Sequence, residues 1–388
     1  MGRFGLLSWS VMVSVLAAAA VASGQAPTGD GGHWYFALSG DSRDCGDLIM
    51  PKIAHDIEAN RAAAPVEFYW HLGDFRRSYD IDCDMLLVAH PGFDCRTPRK
   101  DPLGANDMAD YLDRAWDDFL ARQVAPFGSL QVFLGIGNHE LMAGHDRAEI
   151  RRAFRRWLTQ EPLHAQRIAD SGRGVPGDEG DTTYHFARHG VDFIFLDNAG
   201  GEAFTAGQIV WLTRVLAADA ADPQVRTIAV GMHAALPGSR VRGHAMDDTC
   251  QGRCSGRQVY EMLYDAQGLG GPPERRKRVY LFASHFHAYV PDAFDTPDHA
   301  GRVLPGWVVG TAGAQQYVDT IRYGYLLVEA MPDGTLAPHF REVTRGSPPL
   351  ATGDGAANLT EFCFAYNKRE FHPHVDSGPP CACGAARE

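Results

Sequence analysis

Beyond residue 22 the chain has no apolar run long enough to span a bilayer as a helix, which excludes an integral membrane body built of helices. It has no surplus of positive charge. Against 48 Asp and Glu stand only 36 Lys and Arg, a formal net charge of −12, so a broad footprint for duplex nucleic acid is excluded and small substrates are favoured. There is no G-x-S-x-G element, which leaves a serine hydrolase without its nucleophile turn. No C-x2-C pair is present either, so the eight cysteines lack the spacing of a structural zinc site. Repeats of solenoid period and low-complexity blocks are missing outside the N-terminal segment. What remains is an ordinary globular composition, 45% hydrophobic and 22% charged, in a chain of 388 residues that is long enough for a substantial core.

The N-terminus reads as an export signal. Arg3 supplies positive charge, Leu6 to Val21 an apolar stretch and Ala20-Val21-Ala22 a small-residue exit, so residues 1–22 are expected to be a cleaved signal peptide, with an uncleaved anchor as the alternative. An even number of cysteines fits a secreted or periplasmic protein, where disulfides persist. Cys83 with Cys95 and Cys250 with Cys254 are the local pairings expected. A folded domain is placed at 30–345, with an inserted loop at 75–106, and a poorly regular cysteine-held tail at 346–388.

Strand patterns recur along that domain, and several lead into acidic, amide or histidine residues. Strands are expected at 33–40, 66–72, 130–134, 183–187, 191–196, 227–232, 278–283, 306–311 and 323–329, with helices at 48–60, 107–124, 147–158 and 205–218. Five of the strand ends deliver Asp41, Asp74, Asn138-His139, His233 and His285-x-His287. In open α/β sheets, loops at the carboxyl ends of strands converge on one crevice, so these residues can meet despite their separation in sequence. Taken singly, each acid or Asn is as well explained as a turn or cap residue and each His as a hydrogen-bonded interior group. As a set they offer oxygen and imidazole donors without thiolates, which suits manganese, iron or zinc.

In order, Gly73-Asp74, Gly137-Asn138-His139-Glu140, His233 and His285-x-His287 resemble the signature of the calcineurin-like metallophosphoesterases, over roughly residues 34–311. The resemblance implies an α/β fold of two packed mixed β-sheets flanked by helices, a four-layer sandwich. It implies two divalent metal ions, with Asp74 bridging them, Asn138, His233 and His285 completing one site, and Asp41 and His287 serving the other. It assigns His139 a catalytic part, protonating the leaving oxygen or stabilising the transition state. The expected reaction is phosphate ester hydrolysis by a metal-bound hydroxide on a small phosphorylated substrate, most simply a phosphomonoester. The alternatives are a phosphodiesterase acting on nucleotides or lipids, and a non-catalytic metal-binding relative.

Two positions depart from the family pattern. The usual Asp-x-His opening has Arg43 in place of the His, and a guanidinium cannot coordinate a metal. Arg43 is therefore expected either to bind a substrate phosphate or to pair with Asp44, Asp47 or another carboxylate. Arg77 stands where the purple acid phosphatase branch has a tyrosine and other members an acid that orients the His, although His285-Phe286-His287-Ala288-Tyr289 resembles that branch. Arg240, Arg242 and His244 read as either an entrance lining or a solvated loop.

Overall fold

Near-continuous apolar runs along the central strands call for burial of both their faces, and two sheets stacked between helices satisfy that pattern. A computed structural model of the chain has this arrangement. It describes residues 32–371 except 98–104, 171–173, 176–177 and 318, together with Cys381 and Cys383; the expected signal segment lies outside the described residues. Among the described residues no helix is long and apolar enough to cross a membrane.

The strands are β1 (Trp34–Ser39), β2 (Val66–His71), β3 (Gln131–Leu134), β4 (Tyr184–Arg188), β5 (Val191–Leu196), β6 (Thr227–Met232), β7 (Arg278–Ala283), β8 (Tyr289–Val290), β9 (Gly306–Val309), β10 (Tyr323–Ala330) and β11 (Leu336–Val343). One sheet runs β11-β10-β1-β2-β3 and the other β4-β5-β6-β7-β9-β8. β1, β2 and β3 are mutually parallel, as are β5, β6, β7 and β9. Hence two blocks of parallel strands each present their carboxyl ends together.

Phe36 and Leu38 of β1, Phe68 and Trp70 of β2, Phe193 and Phe195 of β5 and Phe282 of β7 fill the space between the sheets. The rings of Phe36 and Phe68 each meet Phe193 edge-on at 5.0 Å, the geometry aromatic quadrupoles prefer. Gly231 lets the sheets close, since a Cβ there would lie 2.5 Å from the Trp70 ring. The opposite faces carry the helices. Ala37, Tyr69 and Val132 pack with Ile49 and Ile53 of the helix Gly46–Ala59, while Ile228, Val230 and Leu281 pack with Leu212 of Ala206–Ala221 and Leu263 of Cys250–Asp265.

The structure corrects several expectations. The 75–106 segment is not simply a loop: it contains the helix Cys83–Ala89, which buries Leu86 and Leu87, and the start of the helix Ala105–Phe119. The expected helix over 147–158 breaks at Phe154 into Arg147–Ala153 and Arg155–Leu158. The tail has the helix Ala356–Glu361, and Cys363 just beyond it is buried in a disulfide to Cys45. Cys83 is bonded to Cys95, but Cys250 and Cys254 are not bonded to each other; they join Cys381 and Cys383. Both lie one turn apart on the helix Cys250–Asp265, and side chains four residues apart project side by side, a poor geometry for closing a bridge.

Candidate metal centre

Short backbone links tie the strand ends into one rim. The Asp41 N–H donates to the Gly73 carbonyl, Gly135 N–H to His71, and Ser284 N–H to His233, at 2.7–2.9 Å, while Gly40 N–H reaches across to Val309 of the other sheet at 2.9 Å. Glu140 braces this rim from behind, its carboxylate accepting the N–H groups of Asp74, Phe75 and Gly137 at 2.7–2.8 Å. At Asp41, Asp74 and His285 the backbone is left-handed, with φ of 61°, 61° and 66°. Each costs on the order of 1–3 kcal/mol outside glycine, a strain typical of functional positions.

All eight side chains named from the sequence arrive at this rim. Asp41, Arg43, Asp74, His139, His233, His285 and His287 are buried, and Asn138 is partly so. His233 Nε2 lies 3.2 Å from Asp74 Oδ1, 3.1 Å from Asn138 Oδ1 and 3.0 Å from His285 Nδ1. Every one of these atoms is an acceptor when the rings are neutral. The other nitrogen of each ring has a place for its proton: His233 Nδ1 faces the Leu72 carbonyl at 3.0 Å, and His285 Nε2 faces Glu202 Oε1 at 3.2 Å. Four acceptors aimed at one point, with their donor sides turned outward to carbonyl and carboxylate, fit a cation. Burial disfavours charge on the His233 imidazole, but Asp74 overrides it and raises the ring to about 9.

A second trio, Asp41, Asp74 and His287, shares Asp74 with the first, and in each trio the potential ligand atoms lie within 4.8 Å of one another. Asp41 Oδ2 accepts the His285 N–H at 2.7 Å and Asp74 Oδ1 the His139 N–H at 3.0 Å, whereas Asp74 Oδ2 is buried without a hydrogen bond among the described residues and Asp41 Oδ1, also buried, has His287 Nε2 as its near neighbour at 3.3 Å. Such orphaned carboxylate oxygens call for positive charge. Arg43 answers part of that demand. Its guanidinium points into the cleft, where Nη2 donates to His287 Nε2 at 2.7 Å and Nη1 contacts the His139 ring and lies 3.9 Å from Asp74 Oδ2. It does not pair with Asp44, which is held instead by Arg77 Nη1 at 3.2 Å.

His139 reaches the cleft but is poorly placed to give a proton. One ring nitrogen contacts the Arg77 carbonyl, the other faces Arg43, and burial together with the Arg43 charge lowers the ring to about 3. It is neutral at pH 7 and accepts from Arg43.

Glu202 escaped sequence reading. It sits on the turn after β5 with φ 52°, and although burial opposes its charge, the His285 N–H draws its carboxyl below the ordinary value. Asn198, also beyond β5, accepts the N–H groups of His233 and Ala234 at 3.2 and 3.1 Å. The visible signal was an acidic and amide-bearing turn at a sixth strand end. Of the loop after β6, His244 lies in the cleft, stacked on His285 at 4.1 Å, while Arg240 and Arg242 pair with Asp295 and Asp298 at the exposed surface. Beside the rim is a cavity of about 150 Å³ lined by Arg43, His139, His244, His287, Tyr317 and Arg369, among others.

No family model matches the chain, and no curated protein matches it. Among solved structures it is similar to a dimetal phosphatase from Danio rerio (14% identity, TM-score 0.44, covering 76% of this chain and 92% of that one). It is also similar to the purple acid phosphatase PPD1 from yellow lupin seeds (14%, 0.48, 81% of this chain and 52% of that one). A third similar structure is GAP50, the anchor in the inner membrane complex of Plasmodium (12%, 0.43, 90% and 99%). The chain thus spans about half the length of the lupin enzyme.

Proposed function

We propose that this chain is a secreted metal-dependent hydrolase of small phosphate esters, most simply phosphomonoesters. The observation that carries the reading is the convergence of Asp74 Oδ1, Asn138 Oδ1, His233 Nε2 and His285 Nδ1 on one point, beside a small cavity with the guanidinium groups of Arg43 and Arg369 in its wall. A divalent ion bound there supplies a Lewis acid for a phosphoryl oxygen and makes water a competent nucleophile at neutral pH.

The chain's own residues do the rest. Asp74 and the three neighbouring donors fix the position of charge, and Glu202 and the Leu72 carbonyl hold the two imidazoles in the tautomer that offers a lone pair. Arg43, aimed by His139 and His287, neutralises charge on phosphoryl oxygens that enter the cavity. A cavity of about 150 Å³ suits a phosphoryl group and little more, so the rest of the ester remains outside. Four disulfides favour the export expected from the N-terminal sequence.

A second reading, a metal-binding protein without turnover, is favoured by one feature: the His139 ring has no proton directed at the cavity. The test is to load the purified chain with manganese, zinc or iron and compare release from a nitrophenyl phosphate monoester with the corresponding bis ester. Monoester release that chelator abolishes is expected. Preference for the bis ester favours a phosphodiesterase, and metal uptake without phosphate release favours the binding protein.

A further inference from the structure

The two trios that share Asp74 are not equivalent. In the first, His233 Nδ1 and His285 Nε2 are turned away to the Leu72 carbonyl and Glu202, and His233 Nε2 faces the other three acceptors at 3.0–3.2 Å. In the second, the position is already taken. His287 Nδ1 faces the Gln315 carbonyl at 2.8 Å, and Nε2, although 3.3 Å from Asp41 Oδ1, lies 2.7 Å from an Arg43 nitrogen that can only donate, so the ring proton sits on Nδ1 and a single lone pair remains, on Nε2. That lone pair accepts from Arg43 Nη2 at 2.7 Å. An ion bound to Asp41, Asp74 and His287 needs the same lone pair, and it must also sit within roughly 4 Å of a guanidinium that never loses its charge. Arg43 cannot easily withdraw. It is itself buried, Tyr317 stacks on His287 at 4.4 Å, and His139 occupies the other side of the guanidinium.

We propose that this chain carries one divalent ion rather than two, held by Asp74, Asn138, His233 and His285, with the Arg43 guanidinium standing in the second position as a fixed monovalent cation. The inference rests on the reading of the first cluster as a metal site. Arg43 neutralises Asp41 and the outer oxygen of Asp74, and turns N–H donors toward the cavity that the phosphoryl group enters. Half of the charge clamp of a two-ion centre is therefore built into the chain, and loss of metal leaves phosphate affinity only partly reduced.

The experiment is a stoichiometry. The full mature chain is stripped with chelator, titrated with Mn²⁺ by calorimetry, and its bound metal counted by mass spectrometry after desalting; the same is done for Arg43→His, which supplies the ring that an Asp-x-His opening would have. The wild type is expected to retain one ion with the resonance spectrum of isolated Mn²⁺, and Arg43→His two ions with an exchange-coupled spectrum. Two tightly held ions in the wild type overturn the inference and leave the metallohydrolase reading standing. One ion in both chains overturns the assignment of the second position to Arg43, and no ion in the wild type overturns both readings. Should Arg43→His fail to fold, the wild-type count and spectrum decide alone.

Discussion

Gly137 offers a sharp test of the site because its backbone asks nothing of glycine. With φ −115° and ψ −174° it is extended, and alanine adopts that conformation without strain. The constraint is spatial: a Cβ at 137 would lie 2.3 Å from Asp74 Oδ1 and 2.6 and 2.7 Å from Cε1 and Nδ1 of His233, where ordinary contact begins at 3.4 Å. Something must move by about 1 Å. Neither neighbour is free to do so, since the Asp74 backbone N–H is held by Glu140 and the His233 ring by the Leu72 carbonyl and Ser284. Overpacking of this kind costs about 1–3 kcal/mol of stability. A displacement of about 1 Å between catalytic groups costs about 100-fold in turnover, equivalent to about 2.7 kcal/mol. We therefore expect Gly137→Ala to lose roughly two orders of magnitude in monoester turnover and to bind metal more weakly. Turnover, calorimetric metal affinity and thermal melting should be measured beside Gly270→Ala, whose added methyl meets nothing within 4 Å. Wild-type turnover and metal affinity in Gly137→Ala would refute the contact between Asp74 and His233 on which the centre is built.

Three further outcomes follow from the same geometry. Asp74→Asn keeps the shape of the shared ligand but removes its charge, so turnover should fall by at least roughly 10²–10³-fold with the circular dichroism spectrum unchanged; full activity would remove Asp74 from the mechanism. Glu202→Gln should weaken metal binding about 10–100-fold through His285 alone, and an unchanged affinity in calorimetry would deny Glu202 its supporting part. His185 is bracketed by Asp170 and Asp192 at 3.0 and 2.9 Å; burial disfavours its charge, but the two carboxylates raise it from 6.5 to about 10. Its stabilisation is thus complete below about 6.5 and lost as pH rises toward 10, with a slope of at most about 1.4 kcal/mol per pH unit. The stability gap between wild type and His185→Asn in urea should narrow over that range, and a gap that does not change with pH contradicts the ion-pair bracket.

Much of the fold was legible because its strands are buried on both faces and bounded by abrupt turns. β6 and β7 were read to the residue, and the ligand candidates followed because parallel strands must end on one side. β11 was missed for a physical reason: it is an edge strand paired only with β10, it tolerates Pro338, and its half-exposed face breaks the apolar pattern. The helix Cys250–Asp265 was missed because a local Cys250–Cys254 pairing was expected there; in the structure a Cβ at 256 would meet the Pro237 ring at 2.4 Å, so Gly256 serves close packing. Glu202 lay beyond pattern reading altogether, since its part depends on where the turn after β5 brings it relative to His285, a contact across 83 positions of sequence.

Arg43 is the position where sequence and structure have to be combined. The sequence supplies the departure, an arginine where coordination would ask for histidine, and leaves open whether it faces a surface carboxylate or the cleft. The structure resolves the direction: the guanidinium takes the one lone pair of His287 and approaches the orphaned oxygen of Asp74. The departures at 43 and 77 then form one change. Arg77 engages Asp44 and so withdraws from Arg43 the carboxylate next to it in sequence, while the Arg77 carbonyl holds the His139 ring whose other nitrogen meets Arg43. Replacing either arginine alone should therefore disturb the other: Arg77→Ala removes a cation that holds Asp44 beside Arg43, and turnover should fall even though Arg77 touches neither cluster of metal ligands. A double-mutant cycle between Arg43→His and Arg77→Ala measures that coupling, and strictly additive effects on metal stoichiometry and turnover would show the two positions to be independent.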